Sequence, residues 1–187
     1  MRADAALRGL LVDVQQVIPL PEAAEYQVQI REKERKGRLE RESKQWNEVT
    51  FFEALKQRQG GEVAEVARTI FERAHELPLR FWWGRGVKNG SFYPTLDWKG
   101  KEYSMIAVWT NGQIVVQFGE LKKRPPFDDE AKREELRDRL NRTPGVDITA
   151  EMINFSPSIS LSLLTIKESL EQFLAVLDWF VQEVKAT

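Results

Sequence analysis

The segment from Leu79 to Leu121, LRFWWGRGVKNGSFYPTLDWKGKEYSMIAVWTNGQIVVQFGEL, leaves few choices of fold. Three turn signals, Lys88-Asn89-Gly90, Asp97-Trp98-Lys99-Gly100 and Thr110-Asn111-Gly112, separate runs rich in aromatic and β-branched residues. Strand, tight turn and strand in that order are the pattern of a four-stranded antiparallel meander. Alternation in the first run puts Phe81 and Trp83 on one face and Trp82 on the other. Trp82, Trp83, Trp98 and Trp109, four of the six tryptophans, fall in this segment. Most of it is therefore expected to form one wall of a core.

Helical signals lie on both sides of it. Thr50-Phe51-Phe52-Glu53 has the spacing of a capping box, and Gly60-Gly61 ends the helix that it opens. From Glu62 to Leu77, apolar residues recur at Val63, Val66, Ala67, Ile70, Ala74 and Leu77 until Pro78 stops the helix. After the meander, Pro125-Pro126-Phe127-Asp128 introduces a helix over Asp129 to Asn141. Thr143-Pro144-Gly145 then turns the chain into a short strand, Val146 to Thr149, and Ser156 to Leu164 reads as extended or irregular. A second capping box, Thr165-Ile166-Lys167-Glu168, opens a last helix to about Lys185. Its stripe of Leu170, Phe173, Leu174, Leu177, Phe180, Val181 and Val184 suits packing across a sheet.

The N-terminal part reads differently. Leu10 to Leu20 and the alternating Tyr26 to Arg31 are expected to pair as a β-hairpin, the possible tail of an upstream domain in relatives. Arg31 to Lys44 carries seven basic and four acidic side chains without an apolar stripe. It reads as a solvated linker or exposed helix. The expected organisation is a hairpin over 1–32, a charged linker over 33–45 and an α+β domain over 46–187. In that domain, helices flank an antiparallel meander sheet and a long amphipathic helix closes the C-terminus.

Composition narrows the chemistry. Absence of cysteine removes disulfides, thiolate metal sites and a cysteine nucleophile. A single histidine, His75, leaves little for a histidine-rich metal site or a histidine-paired nucleophile. The formal net charge of -1 gives no global attraction to nucleic acid or an anionic membrane. No apolar run approaches the roughly 18 residues of a membrane span, and the N-terminus lacks a signal-peptide pattern, so a reducing cytoplasm is the expected compartment.

Two places could carry function. In the first, Arg80 to Lys88, aromatics are interleaved with Arg and Lys, and glycines allow close backbone approach. Trp82, Arg85 and Lys88 are the binding candidates there. In the second, the last meander strand ends in Glu120-Leu121-Lys122. If Asn111-Gly112 is a two-residue turn, Trp109 pairs with Ile114 and Tyr103 with Glu120. One face then carries Met105, Ala107, Ile114, Val116 and Phe118. An apolar strand ending in Glu-x-Lys, among helix, meander, helix and strand, resembles the restriction-endonuclease-like nuclease core. That resemblance implies Glu120 and an upstream acid, Asp97 or Glu102, on a magnesium ion, with Lys122 orienting the attacking water. Asp97 is expected in a turn and Glu102 on the opposite face, and the family's Pro-Asp pair is absent because Pro94 and Asp97 are separated.

The runs WNEVTFFEAL (Trp46 to Leu55) and WWGRGVKNGSF, with Leu177-Asp178-Trp179 in the final helix, resemble a group of uncharacterised bacterial proteins. They are also similar to accessory domains at the C-terminus of restriction-endonuclease-like proteins. The resemblance implies association with DNA or a nuclease partner and supplies no functional residues. The expected function is a non-catalytic module that binds DNA or protein without a cofactor. The alternatives are a magnesium-dependent nuclease using Glu120 and Lys122, and a structural module forming a homodimer.

Overall fold

A computed structural model describes residues 29–32 and 45–187. The chain divides into two units, Met1–Ser43 and Lys44–Thr187, and the second contains every element below. The expected hairpin and linker lie outside the described residues except at Gln29 to Glu32, which are helical rather than extended. There, the helix preference of Gln, Arg and Glu beside a charged run outweighs the period-two pattern that suggested a strand.

The second unit is α+β. Helices α1 (Glu48–Gln59) and α2 (Gly61–Glu76) precede strands β1 (Leu79–Trp83), β2 (Ser91–Trp98), β3 (Lys101–Ser104), β4 (Ile106–Trp109) and β5 (Gln113–Val116). A one-turn α3 (Phe118–Leu121), α4 (Glu130–Asn141), β6 (Ser158–Ser160) and α5 (Lys167–Lys185) follow. 3-10 turns occupy Ala150–Asn154 and Leu161–Thr165. Strands run β1-β2-β4-β5-β6, with β3 also beside β2. Every pairing is antiparallel.

Local chemistry moves several boundaries. The side chain of Asn47, not Thr50, caps α1, accepting from the Thr50 amide, while the Thr50 hydroxyl accepts from the Asn47 amide. The expected box at Thr165 does not form. Its hydroxyl donates to the Ser162 carbonyl within a 3-10 turn, and Ile166 stands at the N-cap. Residues 146–149 are not a strand, because the Asn141 carboxamide brackets Ile148, donating to its carbonyl and accepting from its amide. The backbone there is satisfied without a neighbouring strand. The sixth strand lies in the segment expected to be extended or irregular, where Ile159 pairs with Ile114.

Register explains the sheet faces. Lys99 and Gly100 (φ 47° and 76°) form a two-residue turn that pairs Trp98 with Lys101 and Asp97 with Glu102. Between β4 and β5, Val108 faces Ile114 and Ile106 faces Val116, one residue away from the expected pairing. Thr110 to Gly112 make a three-residue loop, with Gly112 at φ 82° in the left-handed position. Since a one-residue slip exchanges faces, the core set becomes Ile106, Val108, Ile114 and Val116, all fully buried. The pairings Thr95 with Ser104 and Phe92 with Val108 differ by one residue, so β3 and β4 are one strand bulged at Met105.

The Gly84 amide donates to the Ser91 carbonyl at 2.9 Å. By alternation, Arg80 and Trp82 turn their backbone groups toward β2, whereas Leu79, Phe81 and Trp83 turn theirs to the sheet edge. On β2 the same alternation aims Pro94 at the bulge, where its missing N–H costs no regular ladder bond.

Helices cover the face that carries Phe81, Trp83 and Phe92. Phe92 meets Phe51 at 5.0 Å, Phe71 at 5.4 Å and Trp83 at 5.7 Å between ring centroids. Further along, Phe127 stacks on Phe180 at 5.1 Å. Arg73 of α2 grips the Asp178 carboxylate of α5 through Nε and Nη2, at 2.9 and 2.7 Å. Lys132 of α4 reaches Glu183 of α5 at 2.7 Å.

The tightest fit is at Gly90, where an added Cβ would stand 2.3 Å from Cδ2 of the buried Trp46 indole. Gly90→Ala is therefore expected to destabilise the protein by about 1–3 kcal/mol through overpacking. Gly61→Ala, at a helical position with nothing within 4 Å, should be neutral or stabilise by about 0.4–1 kcal/mol. Urea midpoints of the two variants check the contrast.

Candidate functional site

The glycine-rich loop between β1 and β2 is closed by the protein itself. Trp46 donates its indole N–H to the Gly86 carbonyl at 2.6 Å and its amide to Gly84 at 3.4 Å. Arg58 donates to the Asn89 side-chain oxygen (2.8 Å), the Lys88 carbonyl (2.8 Å) and the Thr110 hydroxyl (3.1 Å), and that hydroxyl accepts from the Gly90 amide. The close backbone approach that glycine permits serves an indole and a guanidinium of this chain. Arg85 and Lys88 stay exposed on the loop. Trp82 stands on the sheet face away from α1 and α2, 49% exposed, with its ring 5.1 Å from Tyr93.

Glu120 and Lys122 are not at a strand end. β5 stops at Val116, and Gln117 (φ -90°, ψ 41°) turns the chain into α3. The Gly119 amide then donates to the Phe155 carbonyl at 2.8 Å. The Glu120 carboxylate accepts from Lys123 at 2.8 Å, and this hydrogen bond holds it below the usual carboxylate range. Lys122 donates to the Asn154 carbonyl at 3.3 Å. The two side chains of the Glu-x-Lys sequence are thus committed to separate partners.

Asp97 and Glu102 come together: Asp97 lies in β2 rather than in the turn, and Glu102 is on the face away from the buried core set. They are cross-strand partners at the end of the β2–β3 hairpin. Arg80, from β1, lies between them, donating Nε to Asp97 at 2.7 Å and Nη2 to Glu102. The guanidinium is held above its ordinary pKa, first by the hydrogen bond to Asp97. A magnesium site needs carboxylates converging on an open position. Here the convergent position belongs to a cation, and Glu120 sits on another element. No group of three or more histidine, aspartate or glutamate side chains among the described residues could hold a metal. The expected donor set does not fit the ion.

What the fold assembles instead is a shallow cavity of about 300 Å³ on the face away from α1 and α2, lined by Arg80, Trp82, Tyr93, Thr95, Glu102 and Ser104. The Thr95 and Ser104 hydroxyls share a hydrogen bond at 2.8 Å across β2 and β3. Tyr93, Thr95 and Ser104 are outside the sequence candidates, and Arg80 belongs to them only as the start of the Arg80 to Lys88 stretch. Their signal was the two-residue Lys99-Gly100 turn, which fixes Asp97 against Glu102 and Thr95 against Ser104. His75 packs its ring 4.7 Å from Phe81 at the edge of the aromatic cluster.

The chain matches no family model, no curated protein and no solved structure. Its own geometry is therefore the basis for a functional reading.

Removing Arg80 leaves Asp97 and Glu102 as like charges directly opposed. Arg80→Ala should cost about 0.2–1 kcal/mol at neutral pH and low salt, and the loss should shrink as salt screens the pair. Chemical denaturation at two ionic strengths tests this. A loss that ignores salt would assign Arg80 a packing role.

Proposed function

We propose that this chain is a non-catalytic module that binds a protein partner through the sheet face around Trp82, away from α1 and α2. One observation carries the reading: a half-exposed tryptophan, edge-on to Tyr93, on a sheet face open among the described residues. Tryptophan and tyrosine give large, rigid contact area at low entropic cost, and they dominate protein interfaces.

Charge argues for protein over DNA. Arg80 is matched by two carboxylates, so the cluster beside Trp82 is net negative. A duplex would have to be held by phosphate contacts from cations, and the Arg80 guanidinium is already bound. Arg85 and Lys88 lie on the loop beyond. The similarity to accessory domains of restriction-endonuclease-like proteins makes a nuclease-bearing protein the first partner class to examine. A nuclease activity of the chain itself lacks support from the positions of Glu120, Lys122, Asp97 and Glu102.

A photoreactive amino acid at position 82 should cross-link a discrete protein in cells. The same group at exposed Val49 of α1 should not give that adduct. Absence of any adduct specific to position 82 would sink the reading. So would salt-sensitive DNA binding that is lost in Arg85→Ala and Lys88→Ala, or magnesium-dependent plasmid cleavage that is lost in Glu120→Ala.

A further inference from the structure

The sheet has edges of unequal character. β6 is three residues long, directly follows Pro157 and runs into a 3-10 turn. β3 is short and begins Lys101-Glu102, and α3 packs beside it. β1 is five residues, LRFWW, without proline or bulge; its one charge, Arg80, is engaged by Asp97 and Glu102, and β2 is its one strand neighbour among the described residues. Natural sheets usually blunt an exposed edge with those devices. Here the blunting is applied to β3 and β6, whereas the one charge on β1 is matched within the sheet.

The alternation set by the Gly84 to Ser91 bond determines what that edge offers. Backbone groups of Leu79, Phe81 and Trp83 face outward, apart from the Leu79 amide, which donates to the Leu77 carbonyl at 2.7 Å. An incoming antiparallel strand must therefore register on the odd positions. A copy of β1 does so about a two-fold axis at Phe81. Phe81 then exchanges amide-to-carbonyl bonds with its own counterpart, and each Trp83 amide meets the Leu79 carbonyl of the second copy. On the helix-covered face, Leu79 would lie opposite Trp83 of the second copy and Phe81 opposite Phe81, all apolar.

On the open face, Arg80 would lie opposite Trp82 of the second copy, twice by symmetry. Asp97 and Glu102 engage Arg80 through its N–H edge. The flat face of the guanidinium is left for an indole, the geometry of a cation–π pair. No like charges oppose one another in this register.

We propose that β1 is a self-association edge: two copies of this chain pair antiparallel strands about Phe81, with each Arg80 stacked on the other copy's Trp82. The inference rests on the protein-binding reading above and names its partner as a second copy. A five-residue edge buries little area, so the dimer is expected to be weak and concentration-dependent.

Sedimentation equilibrium of the full chain, with hydrogen exchange at low and high concentration, decides it. Expected results are a reversible dimer and slower exchange at the Phe81 and Trp83 amides when concentrated. At least a tenfold weaker dimer is expected in Trp82→Ala, whose exposed position spares the core. Arg80→Lys, which keeps charge but loses the planar stack, should fall between. A monomer at every concentration overturns the proposal. So does a dimer indifferent to Trp82→Ala, or one whose Phe81 and Trp83 amides exchange as fast as in the monomer. If the chain is monomeric while position 82 still cross-links a different protein, self-association fails and the protein-binding reading survives.

Discussion

Phe92 is the contact on which the remaining packing depends. Its ring lies within 5.0 to 6.3 Å of Phe51, Phe52, Phe71, Phe81 and Trp83, joining α1, α2, β1 and β2 at one buried point. Edge and tilted arrangements dominate these pairs, each adding about 0.5–1.5 kcal/mol beyond buried area. With Phe92 facing inward, alternation sends Ser91, Tyr93 and Thr95 to the opposite face. The cavity beside Trp82 is thus a by-product of the aromatic core. Among the described residues that face stays open because α1 and α2 pack on the side of Phe92.

Much of this architecture could be read from residues. The alternation of Phe81, Trp82 and Trp83, the stripe of the last helix and the turn residues gave the α+β class and the meander. Errors arose where one backbone atom or side chain outcompeted a pattern. The Asn111-Gly112 pair suggested a two-residue turn, yet the chain spends Thr110 as well, and that single residue set Ile106 and Val108, rather than Met105 and Ala107, beside Ile114 and Val116. Asn141 satisfied Ile148 and removed a strand. Asn47, three residues earlier than the hydroxyl expected to cap, took over the start of α1. Each is a competition between hydrogen-bond donors and acceptors that hydrophobic period cannot resolve.

The candidate site was less legible for a related reason. Glu-x-Lys after an apolar run has meaning only if the strand persists through it, and Gln117 ends the strand first. Trp82, Arg85 and Lys88 are close in sequence, but the sheet takes the first and the loop takes the others. Conversely, Arg80, Asp97 and Glu102 come from three strands and form one cluster. Only cross-strand register could assemble them. The glycines that looked suited to a ligand answer to Trp46 and Arg58. A loop filled by its own chain presents as a binding motif in sequence and as packing in space.

The Arg73–Asp178 contact spans 105 residues, from the second helix to the last. The last helix is synthesised after every residue of the Phe51 to Phe92 cluster. Long-range closure of this kind slows folding, since the intervening chain must be ordered before the contact forms. Until α5 arrives, β2 and α4 lack its cover, and Phe127 lacks the Phe180 ring that stacks on it. A nascent chain stalled short of α5 would thus hold its aromatic cluster beside uncovered apolar side chains such as Phe127, a ready target for a chaperone that recognises exposed apolar segments.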